Sequence, residues 1–293
     1  RIAERNCSAI DYFFCWHGSA DLILAIIKLM EDNLNADTDI IKGGVQAILL
    51  VEDSVRFYST YLPELYKIIL VQNSGFLKDA YNEQQQIMRK RSRPKVLLAT
   101  NYSEAMAIYK KYRKNLLGVI SDVGMVVNKG DNPETEKLDA GIDLCKEVKE
   151  KTPWMPVILQ SSQTAYKSVA QTLNAGFIAK TSKSLLSELK SVILREFGFG
   201  DFIFRDPATG RGLGRASDLM QMQNLVQSIP DDILSYHLHQ MKLSKWLYAR
   251  GLFPLANVLR SLNDGDFPSL KEHREAIVRL INDYRIMLGQ GIV

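Results

Sequence analysis

The sequence predicts a doubly wound α/β fold, a five-stranded parallel sheet with helices on both faces. Three observations lead there. Short apolar runs (QAILLV, PKVLLAT, NLLGVISD, PVILQ, GFIAK) lack an in-out alternation, as strands buried on both faces do. Each run is followed by a stretch with apolar residues at helical spacing, so strand and helix alternate five times in about 150 residues. Polar residues then stand at the C-terminal ends of the runs, the edge where open α/β sheets bind ligands.

Taken in order, residues 12–17 (YFFCWH) are aromatic and strand-like. The turn GSAD leads into a helix in which Leu22, Ile23, Ile26, Ile27, Leu29 and Met30 recur at helical spacing, and a polar linker runs to Gly44. The strand 46–51 ends in Glu52 and Asp53. A long helical stretch, 54–91, follows; a break at 73–75 leaves room for an extra helix over 76–91. The strand 94–100 precedes a helix over 103–114, with Ser103 as its expected cap. The strand from Leu116 reaches Ser121 and Asp122 and turns at Gly124. After a polar loop come a helix (142–151), the strand 156–160 closed by Ser161, a helix (165–174), the strand 176–180 ending in Lys180, and a last helix.

From Phe197 the pattern changes. A hairpin is expected around Pro207-Ala208-Thr209-Gly210, followed by helices over 217–228, 230–240, 243–262 and 270–288. The expected division is therefore a strand-helix segment with linker (1–44), an α/β domain (45–197) and a hairpin plus helical domain (198–293).

The chain has 293 residues, 46% hydrophobic and 24% charged, an ordinary globular composition, and a formal charge of +4, too small to argue for nucleic acid. Cys7, Cys15 and Cys145 form no CxxC spacing, so neither a disulfide framework nor a zinc knuckle is expected, and a reducing cytoplasm fits. No membrane span or signal peptide is expected, and an opening Arg1 in place of Met points to a piece of a longer protein.

The chemistry gathers at one sheet edge. Glu52 and Asp53 follow the first strand, Asp122 ends the third, Ser161 the fourth and Lys180 the fifth. Three converging carboxylates repel unless a cation sits among them, and a hard divalent ion such as Mg²⁺ is the usual solution. A lysine and a hydroxyl opposite would serve an anion, and the set together describes a site for a phosphoryl group.

With LLVED, VISD, PVILQSS and GFIAKTS in these places, the chain resembles the receiver domains of bacterial two-component response regulators. The resemblance implies a flavodoxin-like sheet in the order 2-1-3-4-5 and makes Asp122 the acceptor of phosphate from a histidine. It makes Glu52 and Asp53 the Mg²⁺ pair, with Asp122 and the Gly124 carbonyl as further ligands. Ser161 matches the switch hydroxyl, Lys180 the phosphoryl-binding lysine and Phe177 the switch aromatic. The implied partners are a histidine kinase or phosphotransfer protein and an adjoining or downstream catalytic region. More narrowly, residues 46–293 resemble bacterial proteins in which such receivers precede a phosphoenolpyruvate synthase or pyruvate phosphate dikinase-like region. That region is absent here, so no kinase or dikinase activity is expected of this chain. The sequence departs from the family at Thr181, where proline is usual, and in a loop from Asp122 to Gly141 about ten residues longer. Phe14–Met30 aligns without a gap on Phe177–Ile193, reading as the end of an upstream receiver-like unit with His17 in the lysine's place.

Other motifs have plainer readings. Gly210, Gly212 and Gly214 lack a following GK[ST] and read as a hairpin turn. His237 and His239, two apart on a helix, face different ways and do not ligate one metal. The basic run 89–95 reads as a solvated helix end, Trp246, Leu247 and Leu252 as core, and Cys145 as buried and inert. The competing functions are a non-phosphorylated pseudo-receiver serving as an interaction adaptor and a DNA-reading regulator. The apolar character of 243–262 argues against the second.

Overall fold

A computed structural model describes residues 11–16, 18–77 and 92–290. Most of the extra helix expected over 76–91, the first three residues of the basic run (89–91) and His17 lie outside these residues. Five strands form one parallel sheet: β1 (Ala47–Val51), β2 (Lys95–Ala99), β3 (Leu116–Asp122), β4 (Val157–Ser161) and β5 (Gly176–Ala179). Their order is β2-β1-β3-β4-β5 with every pairing parallel, the expected 2-1-3-4-5 topology. Every residue of the first four strands is buried, which explains why they read as unbroken apolar runs.

The helices divide between the two faces. One face carries α1 (Ala20–Ala36), α2 (Val55–Leu77) and α6 (Leu185–Glu196) over Ile48, Leu50, Leu117, Ile120 and Ile158. The other carries α3 (Tyr102–Tyr112), α4 (Ala140–Lys151) and α5 (Tyr166–Thr172) over Leu49, Val51, Val119 and Leu159. The alternation slips once, at a bulge where Ala47 pairs with Leu116 and Ile48 with Gly118. A Cβ on Gly118 would lie 2.2 Å from the Phe197 ring, so the missing side chain is what lets Phe197 seat against the central strand.

Several local expectations change. Residues 11–16 form no strand, and 37–42 are not a linker but a π-helical continuation of α1. Helix α1 instead lies along the edge strand β2 and on α2, covering an edge that would otherwise be open to pairing. Its buried Asp32 holds that edge. It accepts from Arg93 at 2.7 and 3.2 Å, from the Tyr66 hydroxyl at 2.8 Å and from the Val96 N–H at 2.9 Å, and lies 3.6 Å from Lys95 Nζ. Arg93 and Lys95 are therefore buried ion-pair partners and not part of a solvated end. Ser103 is not the cap of α3. Asn101 is, accepting the Glu104 N–H at 2.9 Å, while Ser103 Oγ bonds Asn128.

Beyond α6 the hairpin β6 (Phe202–Arg205) and β7 (Gly212–Ala216) forms around the expected turn. Five helices follow: α7 (Leu219–Ser228), α8 (Asp231–His239), α9 (Lys242–Ala249), α10 (Phe253–Ser261) and α11 (Leu270–Gly289). The single helix expected over 243–262 is two, because Gly251 turns the chain at φ +72° and Pro254 suits the first turn of the second helix. Trp246, Leu247 and Leu252 are core, as is Cys145, whose thiol burial pushes up to about 11. His237 is fully buried, its Nε2 accepting the Arg205 N–H at 2.9 Å, while His239 is exposed, so the two do face apart. The apolar core runs without a break from the α2 and α6 face of the sheet through Phe197, Phe199 and Trp246 into these helices. No helix among the described residues is long and apolar enough to cross a membrane.

Removing a buried partner leaves an uncompensated charge. Asp32→Ala, which strands Arg93, Lys95 and the Val96 N–H together, should cost about 3–5 kcal/mol by urea unfolding. A loss below about 1 kcal/mol would show that Asp32 does not hold the β2 edge.

Candidate functional site

The strand order sets the site. β1 lies beside β3, β3 beside β4 and β4 beside β5, all parallel, so their C-terminal ends share one edge. Val51 pairs with Ser121, which brings Glu52, just past the end of β1, beside Asp122 at the end of β3. Asp122 pairs with Gln160, and Ser161 with Ala179, so Ser161 and Lys180 continue the same edge. Glu52, Asp53, Asp122, Ser161 and Lys180 thus stand together at the strand ends.

Lys180 ties the edge together. Its Nζ is 2.7 Å from Glu52 Oε2 and 3.0 Å from Glu52 Oε1, and it also bonds Asp122 Oδ2. The ammonium lies over the Phe57 ring of α2, 4.3 Å from its centre. Asp122 Oδ1 accepts the Val123 N–H at 2.7 Å, and Ser161 Oγ accepts the Gln163 N–H at 3.1 Å. Phe177 is half-buried against the α3 and α4 side of the core, on β5, with two strands between it and β1.

Oxygens of Glu52, Asp53 and Asp122 lie within 4.8 Å of one another. Against these three carboxylates the cluster sets one lysine, an anionic excess in a mostly buried place. The electrostatics follow. Burial, then the charge of Asp122, pushes the Glu52 carboxyl up to about 8 despite Lys180. The same two causes raise Asp53, whose carboxylate is partly steadied by the Val126 N–H. The Tyr61 hydroxyl is buried without a partner among the described residues, and after burial itself the charges of Glu52 and Asp122 push it up. A hard divalent cation that takes carboxylate oxygens and keeps water fits this donor set, and its charge would cancel the excess.

One group was missed in the sequence. Glu136, from the enlarged loop, lies over Gly124, where an added Cβ would meet its Oε1 at 2.0 Å. The loop is pinned by paired bonds between Met125 and Lys137, at 3.0 and 3.2 Å. Burial and then the charges of Asp53 and Asp122 raise the Glu136 carboxyl. Nothing in VNKGDNPETEKLD marks this acid among its neighbours, because the cross-loop pairing that aims it is not local. Gly141 allows the close approach that closes the loop, since a Cβ there would meet the Asp122 carbonyl oxygen at 1.9 Å.

No family model matches the chain, and no curated protein matches it either; the resemblance to phosphoenolpyruvate synthase-like proteins therefore gains no support from them. Among solved structures, the chain is similar to a response regulator receiver domain protein from Clostridium thermocellum. The match has 21% identity over 51% of this chain and 91% of that one, at a TM-score of 0.30. It is also similar to full-length FixJ from B. japonicum, with 14% identity over 84% of this chain and 89% of that one, at a TM-score of 0.28.

The Glu52 shift has a definite sign. Between pH 4.5 and about 8 the folded chain keeps a proton on Glu52 that the unfolded chain has released, so stability falls as pH rises. In metal-free buffer the stability of wild type relative to Glu52→Gln should therefore drop from pH 5 to pH 8, by at most about 1.4 kcal/mol per pH unit. Melts in chelator across that range read it. A flat difference would mean that Glu52 titrates normally.

Proposed function

We propose that this chain is a phosphoacceptor signalling module in which Asp122 takes a phosphoryl group from a phosphohistidine. The observation that carries this reading is Lys180 bridging Glu52 and Asp122 inside an edge that still holds an excess of carboxylate. A lysine used only to neutralise acids would need no third carboxylate beside it. A site that gathers cation, oxyanion and nucleophile needs all of them.

Asp53, Asp122, the Gly124 carbonyl and, through water, Glu52 would hold Mg²⁺. When bound, the ion would supply positive charge to the phosphoryl oxygens. The Asp122 carboxylate then attacks phosphorus as the P–N bond to the donor imidazole breaks, and the imidazole keeps the electron pair of that bond. Lys180 exchanges its bond to Asp122 Oδ2 for a phosphoryl oxygen while Glu52 keeps it anchored. The Ser161 hydroxyl accepts from the Gln163 N–H, so its own proton is available to donate to a second oxygen. Phe177, half-buried beside this edge, is the group whose packing would change as Ser161 moves. The phosphoryl group would then act on how the sheet packs with the helical region, or on a catalytic region elsewhere in a longer protein. A pseudo-receiver that serves only as an adaptor is the second reading. The crowding of Glu52, Asp53 and Asp122 around a single lysine, which raises both Glu52 and Asp53, disfavours it.

Ligand binding to the folded state alone raises stability by about 2.7 kcal/mol at about 100-fold excess over Kd. Mg²⁺ should raise the melting temperature of wild type, and beryllofluoride with Mg²⁺ should raise it further. Asp53→Asn should lose the first increment and Asp122→Asn the second. If Mg²⁺ and beryllofluoride leave wild-type melting unchanged, the adaptor reading holds and the phosphoacceptor reading fails.

A further inference from the structure

At the opposite end of the sheet, a cavity of about 90 Å³ opens between the start of β3, the segment after α4, and helices α9 and α10. Its walls carry Arg113, Lys114, Lys245 and Arg260 with the aromatic rings of Trp154 and Tyr248, and no carboxylate. We propose that this cavity is an anion-binding site for a tetrahedral oxyanion of the phosphate class, held between the sheet and the helical region. The site is separate from the Asp122 edge, because β3 alone spans about 20 Å at ordinary strand rise.

Lys245 is the centre of this cavity's charge. It is more than nine-tenths buried, and among the described residues its ammonium has one hydrogen bond, to the Trp154 carbonyl. An ammonium has three protons to donate, so two remain for a ligand. Buried ammonium groups are ordinarily paired, and among the described residues no carboxylate pairs with this one. The acid whose charge acts on it, Glu196, is already bonded to Arg195. Burial, and then repulsion from Lys149, pulls Lys245 down to about 7, the mark of a cation that lacks its counterion. Around it, Arg260 donates to the Lys114 carbonyl at 2.8 Å and lies over the Tyr248 ring, which fixes its guanidinium at the cavity wall. Arg113 and Lys114 stand exposed at the mouth.

Charge and size choose the ligand. Four cations without an acid favour a dianion over a monocarboxylate, and guanidinium forks match phosphate oxygens. The volume is several times what one water needs but below the roughly 300 Å³ at which ordinary ligand pockets begin, so a whole nucleotide does not fit inside. Free phosphate and the head of a small phosphomonoester share the required chemistry. Because the walls come from both the sheet and the helical region, a bound anion would fasten the two together.

The test is calorimetry and thermal melting of the full chain in chelator, which silences the carboxylate edge. The ligands are inorganic phosphate, glycerol phosphate and acetate. Phosphate should bind saturably and raise the melting temperature, and acetate should not. Binding of glycerol phosphate as well assigns a headgroup site, and its failure assigns a free-ion site. Lys245→Met should abolish binding. Arg113→Gln with Lys114→Gln, exposed positions that leave the core alone, should weaken it about tenfold or more. Asp122→Asn should leave it unchanged, which separates this site from the phosphoacceptor reading. Absence of saturable phosphate binding, equal binding of acetate, or binding that survives both basic-site variants would overturn the proposal.

Discussion

The contact on which the rest of the structure depends is the lysine at the end of β5 that reaches back across two strands to a glutamate past the end of β1. Lys180 can hold Glu52 and Asp122 at once only because β3 lies between the outer two strands, and because all of them run the same way. A parallel sheet with crossovers on both faces is the architecture that puts successive strand ends at one edge. The buried apolar strands pay the cost of holding three carboxylates there. Burying such groups against one another costs free energy, and the upward shift of Glu52 shows how that cost is met: part of the cluster keeps its proton.

The helical region is joined to this edge through the core, not through a flexible tether. Phe197 sits against Gly118 in the strand that carries Asp122. Gly198 at φ +82° approaches the Lys245 carbonyl, and Arg250 lies 3.7 Å over the Trp246 ring while bonding the Gly198 carbonyl at 3.2 Å. Packed interiors resist continuous deformation, and Phe197 and its neighbours form one such interior between β3 and α9. The basic cavity lies on the same junction at the opposite end of β3.

The sheet was legible because buried parallel strands have to be written as apolar runs, and four of them are buried at every position. The edge was legible for the same reason: polar side chains at the end of such runs have few places to be except the site. What escaped depends on contacts between distant parts of the chain. Asp32 looks like any acid on a polar helix face until Arg93 and Lys95 close over it. Asn101 displaces Ser103 as the cap because β2 ends at Ala99 and the helix already begins at Tyr102. The break at Gly251 overrode an unbroken apolar pattern, since periodicity does not register a single residue at positive φ. Glu136 reached the site only through the pairing of Met125 with Lys137.

The claim at the centre of this account is that Asp122 is a nucleophile and not merely a partner of Lys180. Intact-mass and peptide mass spectrometry after incubation with acetyl phosphate tests it most directly. The account predicts a gain of one phosphoryl group in wild type, dependent on Mg²⁺, located to the peptide that holds Asp122 and released by hydroxylamine. Unchanged mass in wild type, or an equal gain in Asp122→Asn, would contradict it.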